Sequence, residues 1–229
     1  QFASTVVRLS HGSVRLKIHY LAGGDHADVE QRAIDQVRDG NADLGWIAWR
    51  QCDFGKARQL SNECLTLAEE IGATRVAALA LTNLGATALF EGNFHEACEA
   101  LERSSAMRRQ VADRRGVAFS DTFLAWARCR MGEMSDAIAL LERAEQTLDE
   151  VGDRRLIYFA REIKAHAFLR LGRAARAAEI LEINGLRRFG DRWGVAHGLA
   201  LASWASRLLG LNEQAVALGN ESLALRRAE

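Results

Sequence analysis

The side chains that come closest to an acid/base arrangement are Glu162 and His166, which lie four residues apart. On a helix this spacing places both groups on one face, where a carboxylate could orient an imidazole for proton transfer. Catalysis would also need a nucleophile or oxyanion donors, and the neighbouring sequence offers neither. We therefore predict that this pair is simply exposed on a helix and that the protein is not an enzyme.

Sites for metals, cofactors or nucleotides are not indicated by the remaining residues. The six histidines are scattered, without H-E-x-x-H or a zinc-type combination with cysteine. Gly23-Gly24 follows a predicted strand but lacks the Lys-Ser/Thr ending of a phosphate-binding loop. We expect no metal and no cofactor.

The four cysteines are widely spaced, with no C-x-x-C pair, and each falls within a pattern of helical period. A thiol in such a position behaves as a small hydrophobic side chain. We predict that Cys52, Cys64, Cys98 and Cys129 are reduced and structural, and hence that the protein is cytoplasmic.

Composition indicates a soluble globular protein, with 48% hydrophobic and 26% charged residues. Thirty basic residues balance thirty acidic ones, so the chain as a whole carries no charge signature for nucleic acid or a membrane surface. Its apolar runs are far shorter than the roughly 20 residues needed to span a bilayer. Because the chain starts at Gln1 and stops in a charged helical stretch, we expect it to be a piece of a longer protein.

The elements that position these side chains repeat along the sequence with a period near 40 residues. Turn glycines are separated by 40, 40 and 38 residues, Cys52 stands 40 before the first of them, and one alanine and an Asp-Arg pair recur at matching intervals. Five copies are visible. The turn residues are Gly92, Gly132, Gly172 and Gly210, and the alanines are Ala57, Ala97, Ala137, Ala177 and Ala215.

Each copy contains two apolar stretches of helical period, so each predicts a helical hairpin. Glycine at the turn allows a positive φ after the first helix, and alanine lets the two helices cross closely. One hairpin cannot bury its apolar face alone, whereas stacked hairpins can. The sequence therefore predicts an all-α, right-handed superhelical solenoid of about five hairpins.

The pattern Leu84-Gly85, Ala88, Gly92, Phe94, Ala97 and Leu101, repeated from Leu124 to Ala144, resembles the tetratricopeptide signature. The resemblance covers residues 42 to 229 and implies a scaffold that binds proteins or peptides. Phrases such as Val151-Gly152-Asp153-Arg154 resemble the repeat arrays of bacterial STAND-type ATPases and their LuxR- and AfsR-like relatives, which implies a sensor or interaction module of a signalling regulator. Lys164 and Ala202 stand where leucine is expected and Gly219 lies in the second helix of the last copy, so we expect repeats four and five to pack less regularly.

In tetratricopeptide arrays the first helix of each repeat lines a concave groove, and the residue after the Leu-Gly pair points into it. That column here is Trp46, Ala86, Trp126, His166 and Trp204, and four residues later it is Arg50, Phe90, Arg130, Arg170 and Leu208. Aromatic and arginine side chains are enriched at binding hot spots. The resemblance thus implies a groove for an acidic or aromatic-bearing peptide, formed by Trp46, Arg50, Phe90, Trp126, Arg130, His166, Arg170 and Trp204.

Two alternatives to peptide binding stay open. Tryptophans at helical spacing often belong to the core, and arginines often solvate an outer face. The array would then be architectural, or would assemble into a homo-oligomer, without a ligand in the groove. The other alternative is small-molecule binding through the first residues of the chain.

Residues 1–41 form a separate segment, ahead of a repeat domain over 42–229. Ser13 to Leu21 alternates as a half-buried strand does, and Asp28 to Arg38 has helical period. The tract from Phe2 to Trp46 resembles the opening strand-helix-strand of dicarboxylate-type solute-binding proteins, in which residues 43–45 would begin a strand. The repeat pattern places residues 44–50 in a helix. We favour the helix, because a lone strand-helix-strand unit has no sheet to join.

Overall fold

In the computed structural model, residues 2–8, 15–21, 45, 48, 52–188 and 190–227 are described. Ten helices occupy residues 52–188 and 190–227, and almost all of them are joined by turns of two or three residues. They are α1 (Phe54–Glu70), α2 (Thr74–Glu91), α3 (Phe94–Gln110), α4 (Arg114–Met131), α5 (Met134–Glu150), α6 (Arg154–Arg170), α7 (Ala174–Ile180), α8 (Ile183–Arg188), α9 (Arg192–Leu208) and α10 (Asn212–Arg227).

These helices form the predicted solenoid of helical hairpins. Helices α2 and α3 are repeat two, α4 and α5 repeat three, α6 with α7 and α8 repeat four, and α9 with α10 repeat five. Helix α1 is the second helix of repeat one, and Gly45 and Ala48 are helical where its first helix is expected. Gly45 is therefore not in the strand that the solute-binding resemblance implied.

A residue with positive φ ends the first helix of each hairpin, as the sequence predicted. Gly92, Gly132, Gly172 and Gly210 have φ of 87°, 92°, 72° and 78°, and Cys52 takes the same conformation at 59°. The five recurring alanines that follow are buried at the helix crossings. Cys52 is exposed in its turn, so the prediction that all four cysteines lie within helices was wrong for this residue. All four thiols are free.

The recurring Asp-Arg signal marks the start of the first helix in repeats three, four and five. Asp113, Asp153 and Asp191 accept hydrogen bonds from the N–H groups three residues later, at 2.9, 3.1 and 3.1 Å. These bonds satisfy donors that the first turn of a helix leaves unpaired. Two of these aspartates also pair with an arginine of the preceding repeat, because Arg115 Nε donates to Asp153 Oδ2 at 2.6 Å and Arg155 Nη2 lies at an ion-pair distance of 3.6 Å from Asp191 Oδ2.

The predicted irregularity appears in repeat four. Its second helix is interrupted at Leu181, whose backbone is extended, so that α7 and α8 replace one long helix. Lys164, which stands in place of a leucine, is buried and places its Nζ 2.5 Å from Glu145 Oε1. The ion pair allows a lysine to occupy a position that is apolar in the other repeats.

Two antiparallel strands precede the repeats. β1 (Phe2–Arg8) pairs with β2 (Arg15–Leu21) in a register that joins Phe2 to Leu21 and Arg8 to Arg15. The predicted strand to Leu21 is thus confirmed, with a partner that the alternation pattern did not identify. The predicted helix from Asp28 to Arg38 lies outside the described residues, and the domain boundary at residue 41 stays a prediction.

The turn that follows the second helix of a hairpin and leads to the next repeat tests the argument that a positive φ favours glycine. Gly72, Gly152 and Gly190 have positive φ there, but repeat two has Ala112 at φ 53°. Because an L-residue is strained in this region, Ala112→Gly should raise the free energy of unfolding by about 1 kcal/mol, and Gly152→Ala should lower it by a similar amount. Urea denaturation measures both changes. Changes of the same sign for the two substitutions would contradict the argument.

Candidate functional site

The candidate site lies on the layer of first helices. Each of α2, α4 and α6 contacts the first helix of the next repeat, whereas second helices of successive repeats make no comparable contact in the helical part that the structure describes. The first helices are therefore the more closely spaced layer, which is the concave side of a curved array.

A row of aromatic rings crosses this layer from repeat one to repeat five. Trp126 is half-buried at its centre, with its ring centroid 5.1 Å from that of Phe90 and 5.9 Å from that of Phe159. We call this set the aromatic row. Its members are Phe54, Phe90, Phe119, Phe123, Trp126, Phe159, Trp193 and His197, each within 6.4 Å of another member between ring centroids.

His166 and Trp204, from the same predicted column, contact each other with ring centroids 6.0 Å apart. Burial lowers the pKa of His166 to about 4, and the positive charges of His197, Arg170 and Arg130 act in the same direction. His166 is therefore a neutral ring near pH 7, rather than a cation.

Arg130 and Arg170 lie at the C-terminal ends of α4 and α6, and both are exposed. The guanidinium carbon of Arg130 lies 5.1 Å from the centroid of the Phe94 ring. Neither arginine forms an ion pair with an acidic side chain in the described part of the chain. The same end of the layer presents Phe90 and Leu208, which are 39% and 48% exposed.

One position predicted for the groove lies in the core, and two lie outside the described residues. Ala86 was predicted to line the groove, but it is fully buried and belongs to the core. Trp46 and Arg50 lie outside the described residues. The other six predicted residues all lie on first helices, where they form two groups, with Phe90, Trp126 and Arg130 in the first and His166, Arg170 and Trp204 in the second.

The predicted exposed pair of Glu162 and His166 does not exist. Glu162 is only 1% exposed and turns towards α9, where His197 Nδ1 lies 3.7 Å from its Oε2 atom. His166 instead packs on Trp204. The sequence argument failed because it considered one helix alone, whereas the neighbouring repeat decides which way each side chain turns.

A cavity of about 240 Å³ lies where α4, α6 and α9 meet. Its walls include Phe119, Phe159, Trp193 and Glu162, none of which the sequence analysis assigned to a site. A usable signal existed, because Phe119, Phe159 and His197 lie seven residues before Trp126, His166 and Trp204 and so share their helix faces. The predicted columns therefore began two helical turns too late on each helix.

Neither a metal site nor a membrane-spanning helix occurs among the described residues. Among them no three His, Cys, Asp or Glu side chains come together as a metal site would require. None of the helices assigned above has the length and apolarity to cross a bilayer.

Comparison with known proteins agrees with this geometry. Residues 76–150 match the family model described as tetratricopeptide repeat. The structure of BtubC from P. vanneervenii is similar with a TM-score of 0.66 and 15% identity, over 88% of this chain and 84% of that one. Repeats named as those of a kinesin light chain from Podosopora anserina give a TM-score of 0.57 and 15% identity, over 82% of this chain and 94% of that one.

The fold is a tetratricopeptide-like solenoid. Arrays of this kind are scaffolds that bind other proteins along extended concave surfaces. No curated protein matches this chain in sequence. At 15% identity the two solved structures establish the fold, and the choice of partner depends on the residues described above.

The central position of Trp126 predicts a structural cost for its removal. Trp126→Ala should lower the free energy of unfolding by about 3 kcal/mol, because the ring contacts members of four repeats. Trp204→Ala is the matched control and should cost less, since His166 is the one ring it contacts in the described structure. Thermal or urea unfolding compares the two, and a larger loss for Trp204→Ala would contradict the assignment.

The lowered pKa of His166 predicts a loss of stability in acid. Its ordinary pKa of 6.5 applies in the unfolded chain and about 4 in the folded one, so the unfolded state takes up the proton first. The free energy of unfolding should fall by roughly 1–3 kcal/mol between about pH 6.5 and pH 4 from this group. His166→Phe keeps the ring contact and should remove that part of the pH dependence in urea unfolding series; an unchanged profile would contradict the prediction.

Proposed function

We propose that this chain is an interaction module whose concave face binds a peptide or an extended segment of a partner protein bearing acidic and aromatic side chains. The observation that carries the proposal is the position of Arg130 and Arg170, exposed about one helical turn after Trp126 and His166 and without an acidic partner among the described residues. Guanidinium groups match carboxylates with two parallel hydrogen bonds, which suits recognition of Asp or Glu.

The contrast with other arginines on the same helices supports this assignment. Arg115, Arg155 and Arg161 also lie on first helices, but each is paired with an aspartate or glutamate of a neighbouring element. Their charge is compensated within the fold. Arg130 and Arg170 recur one repeat apart, so a bound segment that runs along the array would meet both.

The aromatic row supplies apolar area next to these charges. Phe90 is 39% exposed and Trp126 is half-buried, so a partner side chain can cover both without displacing a core residue. Large rigid rings lose little conformational entropy on binding and are typical of hot spots.

We further propose that the module serves a bacterial signalling regulator in the cytoplasm. The Gly-Asp-Arg phrases at residues 152–154 and 190–192 support a role in a signalling regulator, and the four free thiols support a cytoplasmic location. A role of residues 1–41 in binding a small molecule stays an alternative, as does a purely architectural array.

The exposed apolar surface of α10 supports the architectural alternative. Helix α10 leaves Val216 63% exposed and Leu223 51% exposed. Such a surface could pack against a second copy of the chain. Sedimentation equilibrium of the protein decides whether it self-associates.

Panning of a random peptide-display library tests the binding function. The chain should enrich peptides that combine Asp or Glu with an aromatic residue. The double variant Arg130→Glu, Arg170→Glu should bind the enriched peptides about tenfold or more weakly, since each charge-assisted hydrogen bond contributes about 1.5–3 kcal/mol.

The matched control is Arg143→Glu, Arg176→Glu, which makes the same charge change at exposed positions on the second helices α5 and α7. It should bind like the unaltered chain. Equal weakening by both double variants would indicate a net-charge effect, and unchanged binding by the Arg130→Glu, Arg170→Glu variant would overturn the proposal. Either result would favour the architectural alternative.

A further inference from the structure

Glu162 is a carboxylate buried in the solenoid without a matching donor. Only 1% of its surface is exposed, and its nearest donors, the His197 imidazole and the Gly198 N–H, form no hydrogen bond of normal geometry with either carboxylate oxygen. The nitrogen of His197 that faces it is 3.7 Å away, beyond hydrogen-bond distance. A charged group in such a place is strongly unfavourable unless something pairs with it.

The corresponding positions of other repeats show that this is a local departure. Thr82 and Thr122, 80 and 40 residues earlier, donate to the carbonyl oxygens of Ala78 and Ala118 on their own helices. Their hydrogen bonds need no further partner. Glu162 is longer and charged, and its carboxylate reaches across to the neighbouring helix.

Helix α9 accommodates that carboxylate through Gly198. A Cβ atom at this residue would lie 2.9 Å from Glu162 Oε1, too close for an alanine without displacement. The equivalent residue of the preceding repeat is Ala160, 38 positions earlier. Repeat five thus lacks the side chain that would otherwise push Glu162 away from this position.

Glu162 is among the residues that line the 240 Å³ cavity between α4, α6 and α9, and its two carboxylate oxygens lie just behind the accessible surface of the wall. The rings of Phe119, Phe123, Phe159 and Trp193 line the cavity as well. Aromatic faces attract cations, most strongly where water is excluded. The volume is below the roughly 300–1,000 Å³ of pockets that take drug-sized ligands, so it suits a single side chain.

The charges around the cavity favour a cation over an anion. Arg115 and Arg155 line it, but each is paired, the first with Asp153 and the second with Asp191. Once these pairs are counted, Glu162 has the imidazole of His197 as its basic neighbour, 3.7 Å away. An incoming carboxylate would repel the ionised form of Glu162, whereas an ammonium or guanidinium group would pair with it.

We propose that this cavity is a subsite for one cationic side chain, a lysine or arginine of the bound segment, which pairs with Glu162 and packs between Phe119, Phe159 and Trp193. The inference rests on the proposed function for the segment that carries the cation. Arg130 and Arg170 would contact the acidic part of the same segment, so the groove would recognise residues of both signs.

The protonation of the Glu162 carboxyl agrees with this chemistry. Burial raises the pKa of Glu162, while His197 opposes the rise and Asp191 adds to it. Arg115 and Arg155 are the remaining charged groups that face the cavity. A cation that pairs with the ionised carboxylate must displace the proton, so its affinity should increase with pH up to the pKa of Glu162 and level off above it.

Small-molecule probes test the subsite on the whole chain without any peptide. The probes are N-acetyl-lysine methylamide and its uncharged analogue N-acetyl-norleucine methylamide, added to protein with ¹⁵N-labelled tryptophan. We expect the lysine derivative to shift the indole N–H resonance of Trp193, assigned with Trp193→Phe, and the norleucine derivative to leave it in place. Glu162→Gln should weaken the lysine derivative by about tenfold or more.

Glu162→Gln keeps the shape of the side chain and should leave the urea unfolding midpoint unchanged or higher, so lost binding would not reflect lost fold. Glu179→Gln, at an exposed position on α7, is the matched control and should bind as the unaltered chain does. No shift with the lysine derivative, equal shifts with both probes, or undiminished binding by Glu162→Gln would each overturn the subsite. If the subsite fails but display peptides still require Arg130 and Arg170, the proposed function stands without the subsite. If the lysine derivative binds but no display peptide is enriched, the subsite stands and the proposed function fails.

Discussion

The close crossing of the two helices in each hairpin is the constraint on which the rest of the array depends. The recurring alanines at these crossings, Ala57, Ala97, Ala137 and Ala177, have no exposed surface, so the helix backbones approach one another there. A residue with positive φ just before each crossing reverses the chain within two residues. Because one hairpin leaves an apolar face uncovered, the next must stack on it in the same orientation, and the first helices come into register.

Polar groups between repeats reinforce that register. The hydroxyls of Thr82, Ser104 and Ser120, from three successive helices, lie within 3.0 Å of one another in the core. Such buried groups favour one arrangement, because any shift would leave them without partners. Asp153 acts similarly at the edge, since it caps its own helix and accepts from Arg115 one repeat earlier.

Repeat four is where the chain departs most from its own pattern. Its second helix is interrupted at Leu181, Lys164 takes the place of a leucine, and Glu162 that of a threonine. Lys164 is compensated by Glu145, whereas Glu162 has no comparable partner in the described structure. Departures that are not compensated within a fold are expected at functional sites, which is why the concave face at repeats three to five, rather than the whole array, carries the proposals made above.

The sequence by itself determined the hairpins, their period, the turn residues with positive φ and the buried alanines. These features depend on residue types at short spacing, such as a small residue five positions after a turn, and short spacing is visible in one dimension. It also placed Phe90, Trp126, Arg130, His166, Arg170 and Trp204 on first helices. Only the tertiary structure decided what these residues touch. Trp126 meets Trp193 across 67 positions of sequence, and Glu162 faces His197 instead of His166. Those contacts follow from the angle at which successive hairpins stack, which no pattern within one helix specifies.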